Sequence, residues 1–92
     1  MPMSHYPIRC YAPECSELAQ FKIASQWSDG TIDELKTYAL SCRDCVPQLL
    51  EQSRLKQAAC RLGPGEVLLP PMVYLLRLGS TDHELQRISE WD

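Results

Sequence analysis

Cysteines are the residues of this chain best suited to chemistry, and four of the five stand in two short-spaced pairs. Cys10 and Cys15 are separated by four residues, Cys42 and Cys45 by two, and 26 residues lie between the pairs. A pair on a tight turn aims both sulfurs at one point, and zinc takes four tetrahedral thiolate ligands at about 2.3 Å. The spacing therefore predicts one structural zinc ion (Zn2+) bound by these four residues.

Two other uses of the cysteines stay open. Disulfides are disfavoured by the odd number of cysteines and by the lack of an apolar signal-peptide run in the first residues. A cytoplasmic location is the default expectation, and clustered cysteines in that reducing compartment are more often metal ligands or redox groups. The second pair, Cys42 and Cys45 at a helix start, also resembles a thioredoxin-type motif, although no βαβ unit precedes it.

The segment between the cysteine pairs has the pattern of a β-hairpin. Apolar and polar residues alternate over residues 18–27, and residues 28–30 carry the Asp-Gly signal of a tight turn. A return strand is predicted over residues 31–41, with Ile32, Tyr38 and Leu40 on one face. A hairpin brings its two ends together, so it would bring the first cysteine pair to the second.

A helix is predicted after the second pair. Pro47 is tolerated only in the first helical turn, which places the start between Asp44 and Val46, and Gly63 follows the end near Arg61. The helix has two apolar faces at 100° per residue. One face holds Val46, Leu49, Leu50, Ser53 and Cys60, and the opposite face holds Leu55, Ala58, Ala59 and Leu62. We expect the C-terminal segment or another subunit to cover the second face.

The C-terminal third is predicted to add a strand and a short helix. Residues 66–69 and 72–78 have strand character, and the two prolines between them predict a break or bulge at a sheet edge. Residues 81–84 have the spacing of a capping box, which predicts a short final helix with Leu85, Ile88 and Trp91 facing inward.

A short-spaced cysteine pair, a hairpin and a Cys-x2-Cys that opens a helix together resemble the treble-clef and zinc-ribbon group of small zinc domains. The resemblance covers residues 10–62 and implies that Cys10 and Cys15 form a zinc knuckle while Cys42 and Cys45 bind from the helix start. The sequence departs from that pattern in the four-residue gap of the first pair. His5 is therefore an alternative ligand in place of Cys10.

These features predict a single α+β domain over residues 1–92. Residues 1–9 form a loose lead-in, residues 10–62 a zinc-binding core of knuckle, β-hairpin and central helix, and residues 63–92 an additional strand and a short C-terminal helix. Cys60 is expected to be a buried free thiol on the helix. His5 and His83 are isolated in the sequence, and each is expected at the surface.

The predicted function is that of a small interaction module that binds another protein or a second copy of itself. Four thiolates fill the zinc shell, so we expect no hydrolysis at the metal, no enzyme activity and no small-molecule substrate. A net charge of −3 and a pI near 5.3 disfavour a nucleic-acid-associated zinc domain, the first alternative. A thiol-disulfide oxidoreductase that uses Cys42 and Cys45 is the second alternative. Residues 67–76, the longest apolar stretch, are too few to span a membrane.

Overall fold

A computed structural model describes residues 8–76 and 86–91, which form an antiparallel β-sheet and one α-helix. The elements in chain order are β1 (Phe21–Ser28), β2 (Asp33–Ser41), a 3-10 turn (Arg43–Cys45), α1 (Val46–Ala59), β3 (Val67–Leu68), β4 (Met72–Leu75) and β5 (Arg87–Ile88). The protein is thus a small α+β structure, as the sequence predicts. Among the described residues, no helix is long and apolar enough to cross a membrane.

Strand β1 is the centre of the sheet, because it has partners along both of its edges. The strand order is β2-β1-β4-β5, and β3 pairs with β1 on the same edge as β4. Pro70 and Pro71 separate β3 from β4, where the loss of two backbone donors is tolerated. The backbone N–H of Leu69 still donates to the carbonyl of Gln26 at 2.9 Å, so the chain follows β1 across the break.

A β-bulge in β2 changes which residues of that strand are buried. Ile23 of β1 lies opposite Ala39 and Ala24 lies opposite Thr37, so Tyr38 is an extra residue on β2. The buried residues of β2 are Ala39 and Ser41. The apolar face predicted from Ile32, Tyr38 and Leu40 is therefore wrong as a core face, because the small side chain of Ala39 lies against the core.

The core lies between the sheet and α1. Val46, Leu49 and Leu50 of the helix pack with Phe21, Ile23, Ala39 and Val73 of the sheet. Ser53 is buried on the same helical face, where its hydroxyl donates to the carbonyl of Leu49 at 2.7 Å. The helix carries a proline in its first turn, as the sequence predicts, and ends at Ala59.

The second apolar face of the helix is not covered by any described part of the C-terminal segment. Leu55 is 68% exposed and Leu62 is 43% exposed, and Ala58 and Ala59 are exposed between them. Residues 77–85 of that segment lie outside the described residues, so the expectation that the C-terminal segment or another subunit covers this face stays a prediction. The sheet carries a single helix in this part of the chain, so only one face of that helix contacts the core.

The end of the chain forms a strand where the sequence predicts a helix. The capping-box residues 81–84 and Leu85 lie outside the described residues, but Arg87–Ile88 is β5 and pairs antiparallel with β4. Ile88 lies opposite Val73 and packs against the core from there. Burial of Ile88 at the sheet edge thus replaces the burial that the predicted helix would have given it.

We predict that Ile23→Ala lowers the free energy of unfolding by about 2–5 kcal/mol, because it removes three carbon atoms from a close-packed core. Ile23 is fully buried in β1. The matched control is Ile32→Ala, since Ile32 is 53% exposed in the turn and its truncation should change the free energy by less than about 0.5 kcal/mol. Urea denaturation followed by circular dichroism measures both, and equal effects of the two substitutions would contradict this core.

The turn between β1 and β2 depends on the carboxylate of Asp29. Its Oδ1 accepts hydrogen bonds from the backbone N–H groups of Thr31 and Ile32, both at 2.8 Å. Gly30, the residue after Asp29, adopts a φ of 94° in this turn. The hydrogen bonds from Ile32 and then Thr31 lower the pKa of Asp29 below its usual range. Since the ionised form is favoured in the folded state, this stabilisation is present above the unfolded pKa and is lost as the pH falls through the folded pKa.

We predict that Asp29→Ala lowers the thermal midpoint at neutral pH and that Asp29→Asn lowers it less, because an amide oxygen still accepts both N–H groups. The control is Asp33→Ala, which removes an exposed carboxylate at the other end of the same turn. Thermal unfolding by circular dichroism distinguishes them. Equal midpoints for the Ala variants at positions 29 and 33 would show that the two hydrogen bonds do not stabilise the turn.

Candidate metal centre

The structure brings the four paired cysteines to one place. The sulfur atoms of Cys10, Cys15, Cys42 and Cys45 all lie within 4.8 Å of one another, and all four are free thiols. The Sγ atoms of Cys15 and Cys42 are 3.8 Å apart. Two ligands of a tetrahedral zinc–thiolate centre with bonds of about 2.3 Å are separated by about 3.8 Å, whereas a disulfide requires about 2.05 Å. The geometry therefore fits a metal ion between the sulfurs.

Cys10 and Cys15 lie on a closed loop near the start of the described chain. The loop is fastened at its base by the backbone N–H of Cys10, which donates to the carbonyl of Glu17 at 2.9 Å, and by a bridge between Arg9 and Leu18. Within it, the N–H of Cys15 donates to the carbonyl of Ala12 at 3.2 Å. These bonds turn the chain back on itself, so both sulfurs are presented on the same side.

Backbone hydrogen bonds tie this loop to the end of β2. The N–H of Tyr11 donates to the carbonyl of Leu40 and the N–H of Gln20 donates to the carbonyl of Ser41, both at 2.8 Å. Leu40 and Ser41 immediately precede Cys42 in the chain. The contact therefore places the first cysteine pair beside the second without depending on any side chain in the loop, and the sequence pattern could not show it.

Cys42 and Cys45 lie at the junction between β2 and α1. A 3-10 turn over Arg43–Cys45 begins directly after Cys42 and ends at Cys45, which is also the N-cap residue of α1. The first backbone N–H groups of a helix have no partner inside the helix, and the helix dipole is positive at this end. Both effects favour thiolates at helix starts in general, although the Cys45 side chain makes no capping hydrogen bond here. Val46, fully buried directly after Cys45, fixes the junction against the core.

Burial differs among the four cysteines. Cys10 and Cys42 belong to the buried core, and Cys15 and Cys45 are half-buried beside it. The site is thus part of the core at one end of the sheet rather than an open cleft. A metal ion bound here would be largely shielded from water by the ligands themselves.

The pKa values of Cys10, Cys15 and Cys45 are shifted by the groups that surround each thiol. Burial opposes the ionisation of Cys10, but hydrogen bonds from the backbone N–H groups of Ala12 and Cys42 outweigh it and lower the pKa of Cys10 to about 7. A hydrogen bond with the Cys42 side chain, followed by burial, raises the pKa of Cys45 far above its usual range.

The pKa of Cys15 is raised, as is that of Cys45. A hydrogen bond from the Glu17 backbone favours its thiolate, yet burial and the thiols of Cys42 and Cys10 together raise its pKa. One thiolate in this cluster therefore makes the next more costly. A divalent cation would reverse that effect, because it stabilises all the thiolates bound to it.

Two further residues with polar side-chain atoms, Cys60 and Trp27, lie outside this cluster. The sequence predicts a buried Cys60, but it is the half-buried C-cap residue of α1, and its Sγ is 3.4 Å from the Nζ of Lys36. Trp27 is half-buried, and its Nε1 donates to the Oε1 of Glu66 at 3.3 Å. His5, the alternative ligand, and His83 lie outside the described residues.

Comparison of the chain with protein-family models, curated proteins and solved structures found no match in any of the three. The interpretation of the four-cysteine cluster therefore rests on its geometry and on the chemistry of thiolates.

We predict that serine at position 10, 15, 42 or 45 lowers the bound zinc below one ion per chain, because a hydroxyl is a poor substitute for a thiolate ligand. The matched control is Cys60→Ser, which removes the one cysteine outside the cluster and should retain full metal content. Native mass spectrometry of each purified variant measures this. Full zinc in Cys10→Ser would show that another group, such as His5, is the fourth ligand.

Proposed function

We propose that this protein is a zinc-stabilised interaction module, in which Cys10, Cys15, Cys42 and Cys45 bind one structural zinc ion. The observation that carries the proposal is the convergence of four free thiols within 4.8 Å of one another. Soft thiolate ligands select zinc, copper(I) or iron–sulfur clusters, and a single tetrahedral set of four cysteines is typical of structural zinc. Four protein ligands leave no coordination position for water, so the proposed metal has no catalytic role.

A structural role agrees with the position of the site. Its ligands come from the N-terminal loop and from the junction between β2 and α1, so one ion would fasten the loop, the sheet and the helix together. A 92-residue chain has a modest core, and the binding free energy of a structural metal adds to its folding free energy. The order of a cysteine loop, two antiparallel strands and a cysteine pair at a helix start is also that of the treble-clef arrangement, which we propose for residues 10–62.

The interaction role is supported by two exposed apolar surfaces. The first is the outer face of α1, where Leu55 is 68% exposed. The second is a groove of about 610 Å³ whose apolar lining includes Trp27, Leu35, Val67 and Leu69. Contiguous exposed apolar side chains rimmed by polar residues are typical of surfaces that bind a partner.

A thiol-disulfide oxidoreductase would use Cys42 and Cys45 as a separate pair. In this structure both sulfurs lie within 4.8 Å of those of Cys10 and Cys15, which such an enzyme would leave without a role. The shared cluster therefore favours metal binding over exchange chemistry.

We predict that the purified native protein contains one zinc ion per chain and unfolds when a strong chelator removes it. Native mass spectrometry with and without chelator gives the stoichiometry, and circular dichroism of the same samples gives the loss of structure. Addition of zinc to the chelated protein should restore both signals, which is the control for direct effects of the chelator. A metal-free, folded protein whose Cys42 and Cys45 oxidise readily to a disulfide would contradict the proposal and favour the oxidoreductase.

A further inference from the structure

The outer face of α1 has the composition of a self-complementary contact surface. Pro47, Glu51, Arg54, Leu55 and Ala58 recur at helical spacing and form one stripe on the side of the helix that faces away from the core. All five residues are exposed. The stripe therefore offers apolar contact area together with one acidic and one basic group.

A groove beside this stripe is bounded by a tryptophan from the end of the chain. It has a volume of about 450 Å³ and is lined by Pro47, Leu50, Glu51, Arg54, Leu55 and Trp91. The Trp91 ring contacts Phe21 edge to face at a centroid distance of 5.1 Å, and the Arg43 guanidinium lies 5.3 Å from the Trp91 ring centroid. Arg43 is held in turn by an ion pair with Glu90. Trp91 is thus fixed before any partner arrives, which lowers the entropy lost on binding.

The two charges of the stripe match each other under a two-fold rotation. In an antiparallel pair of α1 helices centred between Gln52 and Ser53, Glu51 of each copy lies level with Arg54 of the other, twice across the interface. Pro47 lies level with Ala58 of the other copy in the same register. In an isologous two-fold interface every contact occurs twice, because residue i of the first copy contacts residue j of the second and residue j of the first contacts residue i of the second. Such charge pairs set the register and choice of partner more than the affinity.

We propose that the partner of this module is a second copy of the same chain, bound through the outer face of α1 in an antiparallel, two-fold symmetric dimer. This inference rests on the proposed interaction role. It explains why the helix exposes Leu55 opposite its buried face. The helix has 14 residues and is about 21 Å long, so the contact is smaller than a standard stable interface. The dimer is therefore in reversible exchange with the monomer.

Charge reversal tests the surface directly. The zinc-loaded 92-residue chain is examined by sedimentation equilibrium over a wide range of concentrations as the wild type, as E51R, as R54E and as the double variant E51R/R54E. Each single reversal places like charges opposite each other twice and should raise the dimer dissociation constant by about tenfold or more. The double variant restores opposite charges at both positions and should return the constant to within about threefold of the wild type.

An equimolar mixture of E51R and R54E provides the sharpest result. The E51R chain carries two basic side chains at positions 51 and 54, and the R54E chain carries two acidic side chains at the same positions. The mixture should therefore form a heterodimer, although each variant alone is weakened. The control K56E makes the same charge change as R54E on the same helix, away from the stripe, and should associate as the wild type does. Equal association of all variants, or failure of both the double variant and the mixture to recover, would overturn the proposed surface.

The metal content of the same samples separates this inference from the proposed function. Zinc-bound protein that stays monomeric at millimolar concentration would overturn the dimer while leaving a zinc module whose partner is a different protein. Protein without zinc would overturn the proposed function, and with it the premise of the dimer.

Discussion

Four cysteine sulfurs converge at the point where three parts of this fold meet. Burial opposes the Cys10 thiolate, but hydrogen bonds from the backbone of Ala12 and Cys42 and from neighbouring thiols lower the pKa of Cys10 to about 7. The pKa values of Cys15 and Cys45 rise, because neighbouring thiols and burial oppose a further thiolate in the cluster. Without a cation, a second thiolate would be unfavourable in this partly buried cluster. With a divalent cation between the sulfurs, the same groups would become the strongest link among the N-terminal loop, the end of β2 and the start of α1.

The rest of the core is organised so that this junction stays in place. β1 is paired on both edges, and Ile23 at its centre is fully buried, as are Val46 beside the cysteines and Val73 on β4. Val46 follows Cys45 directly, so the residue that anchors the helix to the sheet is adjacent to a proposed ligand. Loss of the metal would therefore loosen the packing of Val46 at this junction, and loss of that packing would displace the proposed ligands.

Local patterns in the sequence predict the parts of the fold that local physics determines. Alternation and the Asp-Gly turn locate two successive strands, and Pro47 locates the helix start. The cysteine spacing identifies the four residues whose sulfurs converge. The backbone bonds from Tyr11 to Leu40 and from Gln20 to Ser41 are not predictable in this way, because every residue type except proline has the same backbone donors and acceptors.

Predictions from the sequence fail where contacts between residues far apart in the chain determine the structure. The bulge at Tyr38 changes which residues of β2 face the core. The alternation of apolar and polar residues in that strand gives no sign of the bulge. The spacing of Ile88 from Leu85 fits a helix, but within the described residues Ile88 pairs with Val73 of β4. The second apolar face of α1 is identified from the sequence and is exposed among the described residues, but a sequence does not show what covers such a face.

X-ray absorption spectroscopy at the zinc edge, on the purified native protein, tests the central claim most directly. The account predicts a first shell of four sulfur atoms at about 2.3 Å, with no nitrogen or oxygen. A shell of three sulfurs and one nitrogen at about 2.0 Å would contradict the assignment of all four cysteines and would favour His5 in place of Cys10. Absence of zinc from the folded protein would contradict the metal centre altogether.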